Sequence, residues 1–158
     1  MDLSTPQVMG ILNVTPDSFY SGSRKQTEEE IAARANQIIE EGGSIIDVGA
    51  FSTRPGADEV SEEEEGRRLK FALDIVHREQ PDAAISVDTY RPTLARKCIE
   101  EWGADIINDV SEGGITGIAN VPLEQREEEY PEMFRLVGEL KVPYILMSVQ
   151  PISERRTA

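Results

Sequence analysis

The sequence predicts a parallel α/β fold, on three observations. Short apolar runs that are continuous rather than alternating recur every 20 to 40 residues, as strands buried on both faces require. A helical pattern separates each run from the next. Polar residues gather where the runs end, the edge at which parallel α/β proteins bind ligands.

The elements follow in order. Val8 to Asn13 reads as the first strand. Thr27 and Glu30 form a capping-box pattern ahead of Ile31, Ala35, Ile38 and Ile39, whose spacing predicts a helix ending at Gly42-Gly43. Residues 44–49 form the second strand. Ser61 with Glu64 starts a second helix through Leu69, Ala72, Leu73 and Val76, and the acids Glu62 to Glu65 in its first turn are expected to complement the dipole and face water. Ala84 to Asp88 is the third strand, and Pro92 to Trp102 is a helix with Pro in its first turn and Gly103 after its end. Asp105 to Val110, a helix over 131–141, and Tyr144 to Ser148 complete five strands and four helices. Ser111 to Glu129 is a long connection, the kind that carries function or lacks fixed structure.

Composition narrows the function classes. The chain has 158 residues, 39% of them hydrophobic, enough for one ordinary domain. Thirty acidic against 16 basic residues give a net charge of −14, which repels DNA, RNA and anionic membranes. No run approaches the ~20 apolar residues of a membrane span. Residues 1–6 carry no signal-peptide pattern. Cys98 is the single cysteine, so no internal disulfide forms, and a cytoplasmic location is expected.

The residues at the strand ends suggest chemistry. Asn13 offers an amide oxygen to a hard cation or an anion-bound network, although a turn-capping Asn is the ordinary occupant of such a place. Phe19, in the polar loop that follows, either covers a ligand or folds back on the core. Ser52-Thr53-Arg54-Pro55-Gly56 joins two hydroxyls and a guanidinium on a stiffened turn, equipment for gripping phosphate oxygens. Asp88 closes a strand with a carboxylate able to pair with a guanidine-like ring edge or to anchor Mg²⁺ through water, or else imperfectly caps the next helix. Asn108 carries both a donor and an acceptor, suited to a heterocycle's edge. Asp47 and Asp109 read as structural ion-pair partners, His77 as a surface residue, and Cys98 and Trp102 as packing. One His and one Cys cannot assemble a Cys/His metal site or a Ser-His-Asp triad.

Met9 to Phe19, Asp47-Val48-Gly49 with Ser52 to Gly56, Ser86 to Thr89, and Ile107-Asn108-Asp109 together strongly resemble dihydropteroate synthase, in order over residues 8–150. The resemblance implies a TIM-type (β/α)₈ barrel that joins p-aminobenzoate to a dihydropterin methyl pyrophosphate in folate synthesis. It further implies that Asn13 binds Mg²⁺ and pyrophosphate, and that Thr53 and Arg54 close over the phosphates as the catalytic residues. Asp88, Asn108 and Met147 would hold the pterin, and Phe19 and Pro55 would wall the p-aminobenzoate pocket. Cleaving the carbon–oxygen bond leaves positive charge on the pterin methylene and negative charge on pyrophosphate, which calls for Mg²⁺ and Arg54 rather than acid–base groups.

The sequence departs from the family pattern at Ser21, often Asp, and at Ser148-Val149, often His-Met. A (β/α)₈ barrel needs ~250 residues, so the chain is expected to be the N-terminal part of one such domain, with no second domain. A five-stranded piece is expected to self-associate through its unpaired strand edges or to pair with the other half, and the intact protein is expected to be a homodimer. Two alternatives belong beside this reading. One is the pterin-binding domain of a corrinoid-linked methyltransferase, against which the Ser52 to Gly56 grip argues. The other is a non-catalytic pterin-binding fragment.

Overall fold

In a computed structural model of the chain, residues 4–14, 24–51, 60–111 and 132–147 are described. Strands β1 (Met9–Asn13), β2 (Ile45–Gly49), β3 (Ala84–Asp88), β4 (Ile106–Asp109) and β5 (Tyr144–Leu146) alternate with helices α1 (Arg24–Glu40), α2 (Glu62–Glu79), α3 (Pro92–Glu100) and α4 (Glu132–Leu140). All four pairings are parallel and the order is β1-β2-β3-β4-β5. A doubly wound sheet reverses its order at a switch point, and this one does not. Right-handed crossovers that always advance the same way place every helix on one face, the winding of a (β/α) barrel.

The register sorts the side chains into layers. Leu12, Val48, Val87, Ile107 and Tyr144 are aligned across the five strands and face the helices, the first four fully buried there. Gly10 lies where a Cβ would stand 2.5 Å from Ile38, so α1 reaches β1 only because that position has no side chain. On the opposite face lie Ile11, Asp47, Ser86 and Ile106, then Asn13, Gly49, Asp88, Asn108 and Ile145 one layer nearer the carboxyl edge. Ile11 and Ile145 are exposed on it, as is Met147 beyond β5.

The expected elements are present, with shifted helix starts and three corrected residues. α1 begins at Arg24, so Thr27 is not its cap but a buried member of its first turn. The end is as expected: Gly42 has φ +97°, and Gly43 N–H donates to Ile38 O at 2.8 Å while Gly42 N–H donates to Ile39 O at 3.0 Å, a Schellman closure. Ser61 does cap α2, accepting from Glu64 N–H at 3.2 Å. Glu65 does not face water. It is fully buried, because it lies one turn before Leu69 on the face that meets the sheet. His77 is half-buried rather than a surface residue, with Nε2 3.2 Å from Trp102 O. Cys98 is core, and burial pushes its thiol up to about 12. Among the described residues no helix is long and apolar enough to cross a membrane.

Candidate active site

The carboxyl ends of β1 to β4 bring Asn13, Asp88 and Asn108 into one layer, and Gly49 between them keeps it open. A Cβ on Gly49 would lie 2.9 Å from Asn13 Oδ1 and 3.5 Å from Asp88 Oδ2. Asn13 is exposed at the β1 edge, Asp88 is half-buried and Asn108 is buried. Thr89 ties the two ligand-facing strands together, since its N–H donates to Asn108 O at 3.3 Å. Its hydroxyl donates to Glu65 Oε1 at 2.7 Å and accepts from Arg91 N–H. Arg91 in turn pairs with Glu65 and donates to Val60 O at 2.6 Å. Asp47, expected as an ion-pair partner, makes no ion pair among the described residues. Asp47 accepts from Asn108 Nδ2 at 3.0 Å, and Asp109 accepts from the Ser111 backbone, the Ser111 hydroxyl and the Tyr144 hydroxyl. Neutral donors reach both carboxylates.

The floor of this layer is a concentration of acceptors. Asp47 Oδ1, Asp88 Oδ1 and Asn108 Oδ1 are buried and have no hydrogen-bond partner among the described residues. Ser86 Oγ is unpartnered too, close enough to Asp47 to favour its charge yet outside hydrogen-bond geometry. Buried acceptors left unpaired carry a cost that a ligand donating protons relieves. Burial pushes the Asp88 carboxyl up to about 7, with the negative charges of Asp47, Glu65 and Asp109 adding to it. Burial also raises Asp47, against the opposing pull of Ser86 and Asn108, and it raises Glu65 against Thr89 and Arg91. The arrangement suits a planar ligand with an N–H-rich edge.

Other expected site residues fall differently. Met147 is exposed just past β5, its N–H held by Asp109 O at 3.1 Å, and alternation puts its side chain on the Ile145 face. Phe19, Ser21, Ser52, Thr53, Arg54, Pro55, Ser148, and the 112–129 stretch lie outside the described residues. Asp47, Ser86 and Glu65 surround the site without standing at a strand's carboxyl end. The signal for the first two was a polar residue inside an otherwise apolar strand. A cavity of about 940 Å³ lies elsewhere, between α2 and α3 beside Phe71, Leu94 and Trp102, and none of Asn13, Asp88 or Asn108 lines it. Its Arg67 and Lys70 are already paired with Glu64 and Asp74.

A sequence profile described as pterin binding enzyme matches residues 9–158. The chain belongs to the pterin-binding enzyme family. Within this family it is 41% identical to a dihydropteroate synthase of Streptococcus pyogenes over 143 residues, 90% of this chain and 48% of that protein. It is also 41% identical to a mitochondrial folate synthesis bifunctional protein of Arabidopsis thaliana, over 90% of this chain and 24% of that one. A solved Xanthomonas albilineans dihydropteroate synthase with 4-aminobenzoic acid superposes with a TM-score of 0.74 at 37% identity, covering 96% of this chain and 50% of that structure. The chain thus spans about half the length of the dihydropteroate synthases it matches.

Proposed function

We propose that this chain forms the pterin-side half of a dihydropteroate synthase, which condenses p-aminobenzoate with 6-hydroxymethyl-7,8-dihydropterin pyrophosphate and releases pyrophosphate. The observation that carries the reading is the row of unpartnered acceptors around Asp88 and Asn108, a complement to the amino and ring N–H groups of a pterin. Asp88 accepts two adjacent donors as a carboxylate. Asn108 adds an acceptor beside it, and the exposed Met147 side chain supplies apolar surface for the ring face.

Asn13 stands at the open side of the layer, where the pyrophosphate end of the substrate would leave the pocket. Its amide oxygen fits Mg²⁺, which takes few protein ligands and completes its shell with water and phosphate oxygens. When bound, Mg²⁺ neutralises the departing pyrophosphate. In this reading Thr53 and Arg54 grip the same phosphates, and Phe19 and Pro55 flank the p-aminobenzoate. The chain's own residues hold the pterin methylene near the aniline nitrogen, and that proximity replaces acid–base catalysis. A homodimer and a cytoplasmic location belong to the same proposal.

Isothermal titration of the chain with 6-hydroxymethylpterin tests it. Saturable binding that Asp88→Asn weakens about tenfold or more is the expected result, matching loss of a charge-assisted hydrogen-bond pair. Equal affinity in the variant overturns the placement of the pterin.

A further inference from the structure

Asn108 has a carboxamide whose two ends make opposite demands on a ligand, and one neighbour fixes which end faces it. Asp47, one layer below and two strands away on β2, takes the Asn108 Nδ2 donor at 3.0 Å inside the protein. An ionised carboxylate only accepts, so it selects the NH₂ end and rejects the oxygen end. Asn108 Oδ1 is thereby left buried and unpartnered, alongside the equally unpartnered Asp88 Oδ1. A flipped amide would set oxygen against oxygen at Asp47 and present NH₂ to the ligand.

We propose that Asp47 is a positioning residue that locks the Asn108 amide with its oxygen toward the ligand, and so makes the site specific for heterocycles with a proton-donating edge. The residue never touches the ligand in this arrangement and acts through Asn108. Its own surroundings support that role: it is 3% exposed, its second oxygen is unpartnered, and among the described residues no basic group bonds it. A site that leaves buried polar groups unpaired against the wrong partner discriminates far more strongly than an apolar pocket does. The proposal rests on the pterin reading and adds to it the group that sets edge preference.

Two measurements test it. The first needs no ligand: in the nuclear magnetic resonance spectrum of the chain, one Asn108 side-chain amide proton is expected to exchange slowly with water, and to lose that protection in Asp47→Asn. An Asn108 amide that exchanges freely in the wild-type chain overturns the pairing. The second compares pterin with lumazine, in which an oxo group replaces the 2-amino donor. The wild-type chain is expected to prefer pterin by about tenfold or more, and Asp47→Asn to reduce that preference to about threefold or less. In an Asn108→Ala background, Asp47→Asn is expected to change the preference no further, because the two act as one unit. A preference that survives Asp47→Asn, or that falls equally in both backgrounds, overturns the proposal. Asp47→Ala, which removes both acceptors, carries the same expectation should the Asn variant not fold. A wild-type chain that binds neither probe overturns the pterin reading, while the amide measurement still decides whether Asp47 orients Asn108.

Discussion

Glu65 and Arg91 form a buried ion pair between the first turn of α2 and the residue before α3. Glu65 is completely inaccessible, and its other oxygen accepts the Thr89 hydroxyl at 2.7 Å. The pair joins a helix to the strand end that carries Asp88. Removing one partner leaves a charge with no compensation in the interior, so Arg91→Met is expected to cost about 3–5 kcal/mol of stability. Urea unfolding checks this, and a cost below about 1 kcal/mol would place the pair in the class of exposed salt bridges.

Gly49 is the hinge of the site's geometry. Gly49→Ala puts a methyl 2.9 Å from Asn13 Oδ1, so Asn13 must move. The expected outcome is a chain that folds with a loss of about 1–3 kcal/mol, as for overpacking, and binds Mg²⁺-pyrophosphate more weakly. Unfolding and titration on the same sample separate the two effects, and unchanged pyrophosphate affinity would remove Asn13 from that role.

Asp88 predicts a pH dependence of stability with an unusual sign for an acid. Its carboxyl ordinarily titrates at 3.8 and is raised to about 7 in the fold. Between those values the folded chain binds more protons than the unfolded one, so stability falls as pH rises from about 4 to about 7 and levels off above. Asp88→Asn removes this contribution, flattening the slope and stabilising the chain at pH 8. Thermal unfolding from pH 4 to 8 shows it; parallel curves for the two proteins would contradict it.

Cys98 is buried with its thiol pushed up to about 12, so the folded chain is expected to resist alkylation at pH 8 and to react on unfolding. Mass spectrometry after iodoacetamide treatment, with and without urea, reads the difference. Rapid labelling of the folded chain would contradict a packed α3.

The strands were legible because each is a continuous apolar run, and the helices because caps and glycines mark their ends. Thr27 misled because a capping box repeats a local pattern that a buried Thr inside a first turn also satisfies. Glu65 was legible in principle: it stands four residues before Leu69, and period 3.6 puts it on the buried face. The first-turn acid rule hid that, since it treats Glu62 to Glu65 alike. Asn13, Asp88 and Asn108 were legible as a group because all end strands, and the parallel register aligns those ends. The partnership of Asp47 with Asn108 was not, because it joins residues 61 apart through a sheet register that no local pattern encodes.

In the proposed complex a pterin seats on Asp88 and Asn108 across Gly49. The most direct measurement is backbone and side-chain amide shift mapping of the isotopically labelled chain as 6-hydroxymethylpterin is added. The largest perturbations are expected on Gly49, Asp88, Thr89 and Asn108. Perturbations centred on Phe71, Leu94 and Trp102, in the cavity between α2 and α3, would contradict that seating.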